Sequence, residues 1–549
     1  MKTSLVLRMA GWSAAALLSA GLAAPISAGP PAPSKGTPPA PASIPDPQAK
    51  VPGFAAPNGL LSTLSEWEVA RGSMRTEGGD ENSAYYGYNG NGTFLPLAGA
   101  IQSPGHNVEA NKTEPDKNTY LVLSGQTGPD PDYDYGTHFL FQGHETGLAG
   151  YITRINLDAD LAHRVTVMAT KMSDASNIPT IDGSTWDPFA QRLLFTTENG
   201  GNASVVQANL AYPSVVEDIS GILGRGGYEG IQNDSAGNLV IVEDVGGAKG
   251  AALATHAKQP NSFVYRFLPK NPADLKQGGR LQALQAMSLV LAGTPISFHA
   301  GAADADILSQ DVKDLHTYGK VFSTRWVTIH DTDTDGTAPF SANALAKTHL
   351  ATPFKRPENG LFRPGTGFGE FYFDETGDTD LRTEAGETYG GFGAVMKLTY
   401  SAASDLGTLS LFYRGNAGHT GFDNVAFADQ DGIIFVEDAG DTLHTQRGTF
   451  DAAYELFLDH DYATGDDPLR VLALGRDPSA TVDSSLFDAG AGFPNEGDNE
   501  ITGFHISDGD PTTHGILGAK IPKPFWNGWR AFYTQQHGDN VTWEIGERR

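Results

Sequence analysis

The chain has 549 residues, no cysteine and a formal net charge of −28. The lack of cysteine excludes disulfides and thiolate metal sites, and the acidity argues against nucleic acid or an anionic membrane as partner. With 66 glycines and 33 prolines and no long helical heptads, many short strands joined by turns are expected.

Residues 1–28 have the form of an export signal. Lys2 and Arg8 supply a basic start, Trp12–Ala24 is apolar, and small residues around Ala24 and Ala28 offer cleavage sites. The apolar stretch is short for a membrane span and no stop-transfer pattern follows, so no stable membrane insertion is expected once it is removed. Residues 1–28 hold no Arg-Arg pair, which favours general export to a periplasmic or extracellular location over the twin-arginine route. Residues 29–57 are Pro/Ala-rich and read as an extended linker. Residues 58–549 read as a single domain.

Strands are predicted at Thr119–Ser124, Thr137–Gln142, Tyr151–Leu157, Leu193–Thr197, Leu239–Glu243, Ser262–Phe267, Phe371–Phe373, Val395–Thr399, Ile433–Glu437 and Ala531–Thr534. Several follow one template: a turn with Gly or Asp, a short apolar run, then a polar or acidic tail. A short-strand unit repeated at irregular spacing predicts an all-β fold, a β-propeller with loop and short helical insertions. A β-sandwich is the alternative.

Two copies of the template are nearly superimposable. Residues 228–244 read YEGIQNDSAGNLVIVED and residues 422–438 read FDNVAFADQDGIIFVED. Hairpins centred near Ala236 and Gln430 would set Glu229 against Glu243 and Asp423 against Glu437. Like charges directly opposite are destabilising, so a bound cation is the simplest account. Aligning further copies places Thr197, Glu243, Asp374, Glu437 and Thr534 at one position, followed by Glu198, Asp244, Glu375, Asp438 and Gln535. In a propeller these strand ends converge on the axis, and such an array of oxygen donors suits a hard cation such as calcium. Acids that merely favour turns are the plainer alternative.

A second candidate is Lys355-Arg356-Pro357-Glu358-Asn359-Gly360. Pro357 is expected to hold Arg356 extended. Glu358 could ligate a cation while Arg356 clamps an anion, because a guanidinium meets phosphate bidentately. A surface Arg-Glu pair is the alternative. Asp331-Thr332-Asp333-Thr334-Asp335-Gly336 begins like a calcium loop, but Ala342 stands where its closing glutamate belongs. Neither a Gly-x-Ser-x-Gly elbow nor a phosphate-binding glycine loop is found.

The chain resembles the PhoX-type alkaline phosphatases over most of residues 180–545. The resemblance rests on STWDPFAQRLLFTTEN, YEGIQNDSAGNLVIVED, SFVYRFLPKNPADLKQGGRLQAL, FKRPENGL, FDNVAFADQDGIIFVED and WRAFYTQQHGDNVTWEI. It implies a six-bladed propeller whose axial iron and calcium ions hold the oxo group that attacks small phosphate monoesters. It implies metal-serving carboxylates at Glu198, Glu229, Glu243, Asp244, Glu358, Asp423, Glu437 and Asp438, and a phosphate-holding arginine at Arg356. One departure stands out. The family's Thr-Cys-Glu-Glu-Asn, whose cysteine ligates iron, reads Thr196-Thr197-Glu198-Asn199 here. A hydroxyl is a poor iron ligand beside a thiolate, so calcium is favoured over iron. The expected function is an exported, metal-dependent phosphatase for phosphate scavenging. A calcium-stabilised propeller without catalysis and a calcium-dependent propeller lactonase are the alternatives.

Overall fold

The computed structural model describes residues 43–49, 57–72, 74–80, 83–87, 113–145, 150–197, 203–475, 500–536 and 540–548. The expected export signal, most of the expected linker and Glu198 lie outside the described residues. Residues 43–49 of that linker lie against the domain, where Ile44 N donates to Arg470 O at 3.2 Å.

Strands form where apolar runs can be buried on both faces. Leu239–Glu243 and Gly432–Glu437 are buried along their whole length. Their turns are set by aspartates. Asp234 Oδ1 accepts from Ala236 N and Asn238 N, and Asp429 Oδ1 accepts from Asp431 N and Gly432 N. Each strand expected from the sequence falls on an observed strand, with small shifts at the ends.

The sheets are antiparallel meanders laid down in chain order. Thr119–Val122, His138–Gly143, Ile152–Asn156 and Val165–Ala169 form the first. Ser184–Asp187, Arg192–Phe195, Val206–Ala208 and Val216–Asp218 form the second. A nine-stranded sheet follows. It holds one meander of Tyr228–Asn233, Leu239–Glu243, Val264–Pro269 and Gly279–Ala286. Its other meander is Gly360–Phe362, Glu370–Glu375, Ala394–Thr399 and Leu406–Arg414. The long strand Val321–Asp331 joins their outer edges. Phe422–Phe427, Gly432–Glu437, Ala452–Phe457 and Leu469–Ala473 come next, with Gly59–Leu60 added outside. Glu500–Ser507, Arg530–Gln536 and Val541–Glu547 form the last sheet, and Leu64–Ala70, from the opposite end of the chain, completes it.

These units pack face to face around a ring. Phe141 and Ile152 meet Leu193 and Phe195; Leu194 meets Tyr228 and Ile241; Val242 and Leu284 meet Phe371 and Phe373. Tyr372 and Val395 meet Val425 and Phe435, Ile434 and Val436 meet Ile501 and Tyr533, and Phe532 returns to Tyr120 and Leu140. Each buried side chain of this kind contributes about 1.5–3 kcal/mol. With no disulfide available, these faces hold the ring together. The architecture is therefore nearly all β and propeller-like, not a sandwich. The helices are short and sit in insertions; Gln310–Leu315 and Ala342–Thr348 are capped by Ser309 and Ser341.

Candidate metal centre

The first strand of each meander faces the axis. Tyr120, Trp186, Asn233, Phe362, Phe427 and Ile506, one from each, line a common channel. Carboxylates gather where these strands begin.

The hairpin turns lie where expected, but the acids do not face each other. From the turn, Ile231 pairs with Ile241 and Val425 with Phe435. That register would bring Glu229 opposite Glu243 and Asp423 opposite Glu437. A bulge intervenes in each hairpin, so Tyr228 pairs with Glu243 and Phe422 with Glu437. The extra residue re-aims the strand end and parts the two acids. The electrostatic clash expected across the hairpins is thus absent.

Glu229, Asp244 and Glu358 come together, each offering an oxygen within 4.8 Å of the others, and all three are buried. Asp423 lies beside them, accepting from Asn359 Nδ2 at 3.2 Å. Burial raises the carboxyl groups of Glu358 and Asp423, and Asp438 raises both further. Asp438 Oδ1 also accepts from Gly440 N at 3.1 Å. Glu229, Asp244, Glu358, Asp423 and Asp438 therefore form one crowded acidic neighbourhood.

Arg356 sits at its rim, with one-fifth of its side chain exposed. Nε donates to both oxygens of Asp244 at 2.9 Å, and Nη2 donates to Oδ2 at 2.6 Å. Nη2 also lies 3.0 Å from Glu358 Oε1. Its φ of +59° is left-handed, not the extended conformation expected before Pro357. Arg356 O accepts from Thr376 N, as Gly227 O does from Asp244 N and Gly421 O from Asp438 N. It thus occupies a place held by glycine in two other units. Left-handed backbone in a bulky residue costs energy, and such strain concentrates at functional sites.

Glu243 and Glu437 are not brought into this neighbourhood. Glu243 Oε2 accepts from Phe263 N, Tyr265 Oη and Asn343 Nδ2 at 2.9–3.1 Å. Glu437 accepts from Thr420 N and Ala452 N and pairs with Arg447 at 3.1 Å. Each holds the backbone at the start of a neighbouring strand. The equivalent residue in the third unit is Glu375, not Asp374 as the sequence alignment had it: Glu375 Oε1 accepts from Lys355 N at 2.8 Å. Thr197 does the same job with a hydroxyl, accepting from Ser204 N and donating to Ser204 O, each at 2.8 Å. Asp374 turns inward, where its Oδ1 accepts from Asn359 N at 2.8 Å and burial pushes its carboxyl up to about 8.

Three contributors went unread in the sequence. Asp116 and Asp182 are buried and hydrogen-bonded to each other, and burial pushes Asp116 up to about 6. Asp116 also raises Asp423. Buried Lys117 lines the channel and stabilises the charge on Asp116 and Asp374. The signal for Asp182 was present: Asp182-Gly183 opens a hairpin as Glu229-Gly230 does.

The donors are carboxylates crowded without enough cationic charge among themselves, which fits a hard cation such as calcium. They do not fit iron held by thiolate, since cysteine is absent and Thr197 is engaged with Ser204. The loop at Asp331–Gly336 is an exposed turn in which Asp331 and Asp335 accept backbone N–H groups.

The model of the family "Alkaline phosphatase PhoX" matches residues 238–467, which include Glu243, Asp244, Arg356, Glu358, Asp423, Glu437 and Asp438. Over those residues the chain is similar to the PhoX phosphatases. PhoX from Pseudomonas fluorescens, solved in complex with vanadate, superimposes with a TM-score of 0.53 at 10% identity, covering 91% of this chain and 98% of that one. That likeness supports the PhoX-like fold. TolB from Acinetobacter baumannii aligns at 9% identity over 79% of this chain and 64% of its own, with a TM-score of 0.28 that carries no argument. No curated protein matches the chain.

Proposed function

We propose that the protein is an exported metal-dependent phosphatase that hydrolyses small phosphate monoesters for phosphate scavenging. We count its packed units as a six-bladed propeller. The observation that carries the reading is the Glu229–Asp244–Glu358 cluster with Arg356 at its rim. Those three carboxylates would hold calcium, with Asp423 and Asp438 adding charge. The bound metals would neutralise phosphate oxygens and activate the nucleophile. Arg356 would turn its planar fork from Asp244 to the phosphoryl oxygens and stabilise charge developing there. Burial around the cluster keeps water from screening these interactions.

Hydrolysis of p-nitrophenyl phosphate, after removal of metals and after return of calcium, iron or both, tests the reading. Calcium-restored turnover is expected. No turnover under any of these conditions would remove it.

One observation favours a second reading, a calcium-stabilised propeller without catalysis. Arg356 already satisfies Asp244 and Glu358, as a purely structural arginine would. Elemental analysis showing bound calcium in a protein without turnover would select it.

A further inference from the structure

The insertion between the strands Gly279–Ala286 and Val321–Asp331 carries the helix Gln310–Leu315. That helix ends on His316, whose side chain is buried. Its Nδ1 donates to Val312 O at 2.7 Å, and its Nε2 lies 2.8 Å from Glu375 Oε2. A carbonyl only accepts, so Nδ1 carries a hydrogen. Two bare lone pairs at hydrogen-bonding distance would repel, so one proton lies between Nε2 and Oε2. The ring is seated on Gly390, where a Cβ would come within 2.1 Å of Nε2. Glycine at that position lets the imidazole approach so closely.

The other oxygen of Glu375 holds the residue before Arg356. Glu375 Oε1 accepts from Lys355 N at 2.8 Å. The chain beyond Glu375 adds to the grip. Thr376 N donates to Arg356 O at 2.9 Å, Gly377 N donates to Lys355 O at 3.2 Å, and Asp378 pairs with Lys355 Nζ at 2.8 Å.

Another unit repeats this arrangement with a telling difference. There Glu437 Oε1 accepts from Thr420 N, and Gly421 follows with a φ of +69°. Glycine adopts that backbone freely, whereas Arg356 holds its φ of +59° at a cost. A strained residue persists only where its surroundings over-determine it. Arg447 stands behind Glu437, and His316 stands behind Glu375.

We propose that His316 is a positioning residue for Arg356, acting through Glu375 and the Lys355 backbone. The inference rests on the phosphatase reading for the reaction that Arg356 serves. The proton at Nε2 fixes one oxygen of Glu375, the other oxygen fixes Lys355 N, and the fork of Arg356 is aimed from there. Without the imidazole, Glu375 Oε2 is a buried oxygen with no donor, which is costly. The carboxyl then turns to find one and releases Lys355 N.

The test is a double-mutant cycle on the calcium-loaded full chain with p-nitrophenyl phosphate. His316→Leu is expected to lower kcat/KM about tenfold, the scale of a clamp misplaced by less than an ångström. In the Arg356→Ala background the same substitution should change kcat/KM by less than about twofold, because the residue it positions is gone. His316→Gln, whose amide nitrogen can reach Glu375, should restore most of the loss. An equal loss in both backgrounds would mean that His316 only stabilises the fold, and would overturn the proposal; no loss in either would do the same. If His316→Leu does not fold, His316→Asn takes its place, since it reaches Val312 O but is too short for Glu375. If the parent protein turns over no ester, the phosphatase reading fails separately. The cycle is then read by calorimetric binding of calcium. His316→Leu should tighten it severalfold by loosening the hold of Arg356 on Asp244 and Glu358, and should leave it unchanged in Arg356→Ala. An equal change in both backgrounds, or none in either, overturns the role of His316.

Discussion

Arg356 grips both oxygens of Asp244 through Nε while its Nη2 reaches Glu358. One guanidinium thus occupies two of the three carboxylates that would hold a metal. Cation and guanidinium compete for the same charge.

Arg356→Ala is therefore expected to split two readouts. Phosphatase turnover falls about a hundredfold, ~3 kcal/mol of transition-state stabilisation. Calcium binds more tightly, because nothing competes for Asp244 and Glu358. Calorimetric titration beside steady-state kinetics checks both, and weaker calcium binding would show that Arg356 only supports the cluster.

Glu358→Gln removes a carboxylate from the centre of the cluster. Calcium affinity should drop at least tenfold. The rise in Tm on adding calcium, which follows from mass action on the folded state, should shrink accordingly. Differential scanning calorimetry with and without chelator measures it.

Glu437→Gln should behave in the opposite way. Its partner Arg447 is buried and keeps only Asp451 as a neighbouring acid, so losing the charged hydrogen bonds to Glu437 costs about 1.5–3 kcal/mol. Thermal stability falls while calcium affinity holds. A marked loss of calcium affinity would mean that Glu437 serves the metal after all.

The pH dependence follows from Asp374, whose carboxyl rises from 3.8 to about 8 in the fold. The unfolded chain releases this proton first. Stability from this group is full below pH 3.8 and is lost as pH rises through about 8, at up to about 1.4 kcal/mol per unit. Chelated protein should lose Tm across that window. Asp374→Asn, which keeps an acceptor for Asn359 N, should remove this group's share of the loss and leave the share of Asp116, Glu358 and Asp423. Calcium should flatten the loss. A chelated wild type whose Tm stays level from pH 4 to pH 8 would contradict this account.

Thr197→Cys replaces a hydroxyl that both accepts from and donates to Ser204. The substitution should cost about 1–2 kcal/mol. Whether it also recruits iron is read by elemental analysis. Iron gained together with turnover would mean that the threonine is the sole obstacle to an iron centre.

Much of the fold was legible because the apolar runs are short, regular and bounded by aspartate turns. Asp234 and Asp429 announce their hairpins in sequence. The register beyond the bulges was not legible. Nothing in Tyr-Glu-Gly or Phe-Asp-Asn marks the extra residue, so Glu243 and Glu437 were read as facing the axis. The same one-residue ambiguity exchanged Asp374 with Glu375, since two acids in succession leave no pattern to decide between them. Arg356 was read as an extended residue before proline, and its backbone is left-handed instead. Local preference before proline yielded to the carboxylates that hold its side chain. Asp116 and Lys117 were hidden because their place at the axis depends on packing between distant sheets.

Leu64–Ala70 completes the sheet whose other strands end at Glu547. The last seam of the ring is therefore a handshake between early and late chain, with almost every other contact made in between. Loop closure of that span is slow and entropically expensive. The axial acids come from units spread along the whole circuit, so their mutual repulsion is felt in full only as the seam shuts. A cation arriving at that moment would act as a rivet, set at the hub while the rim is being fastened.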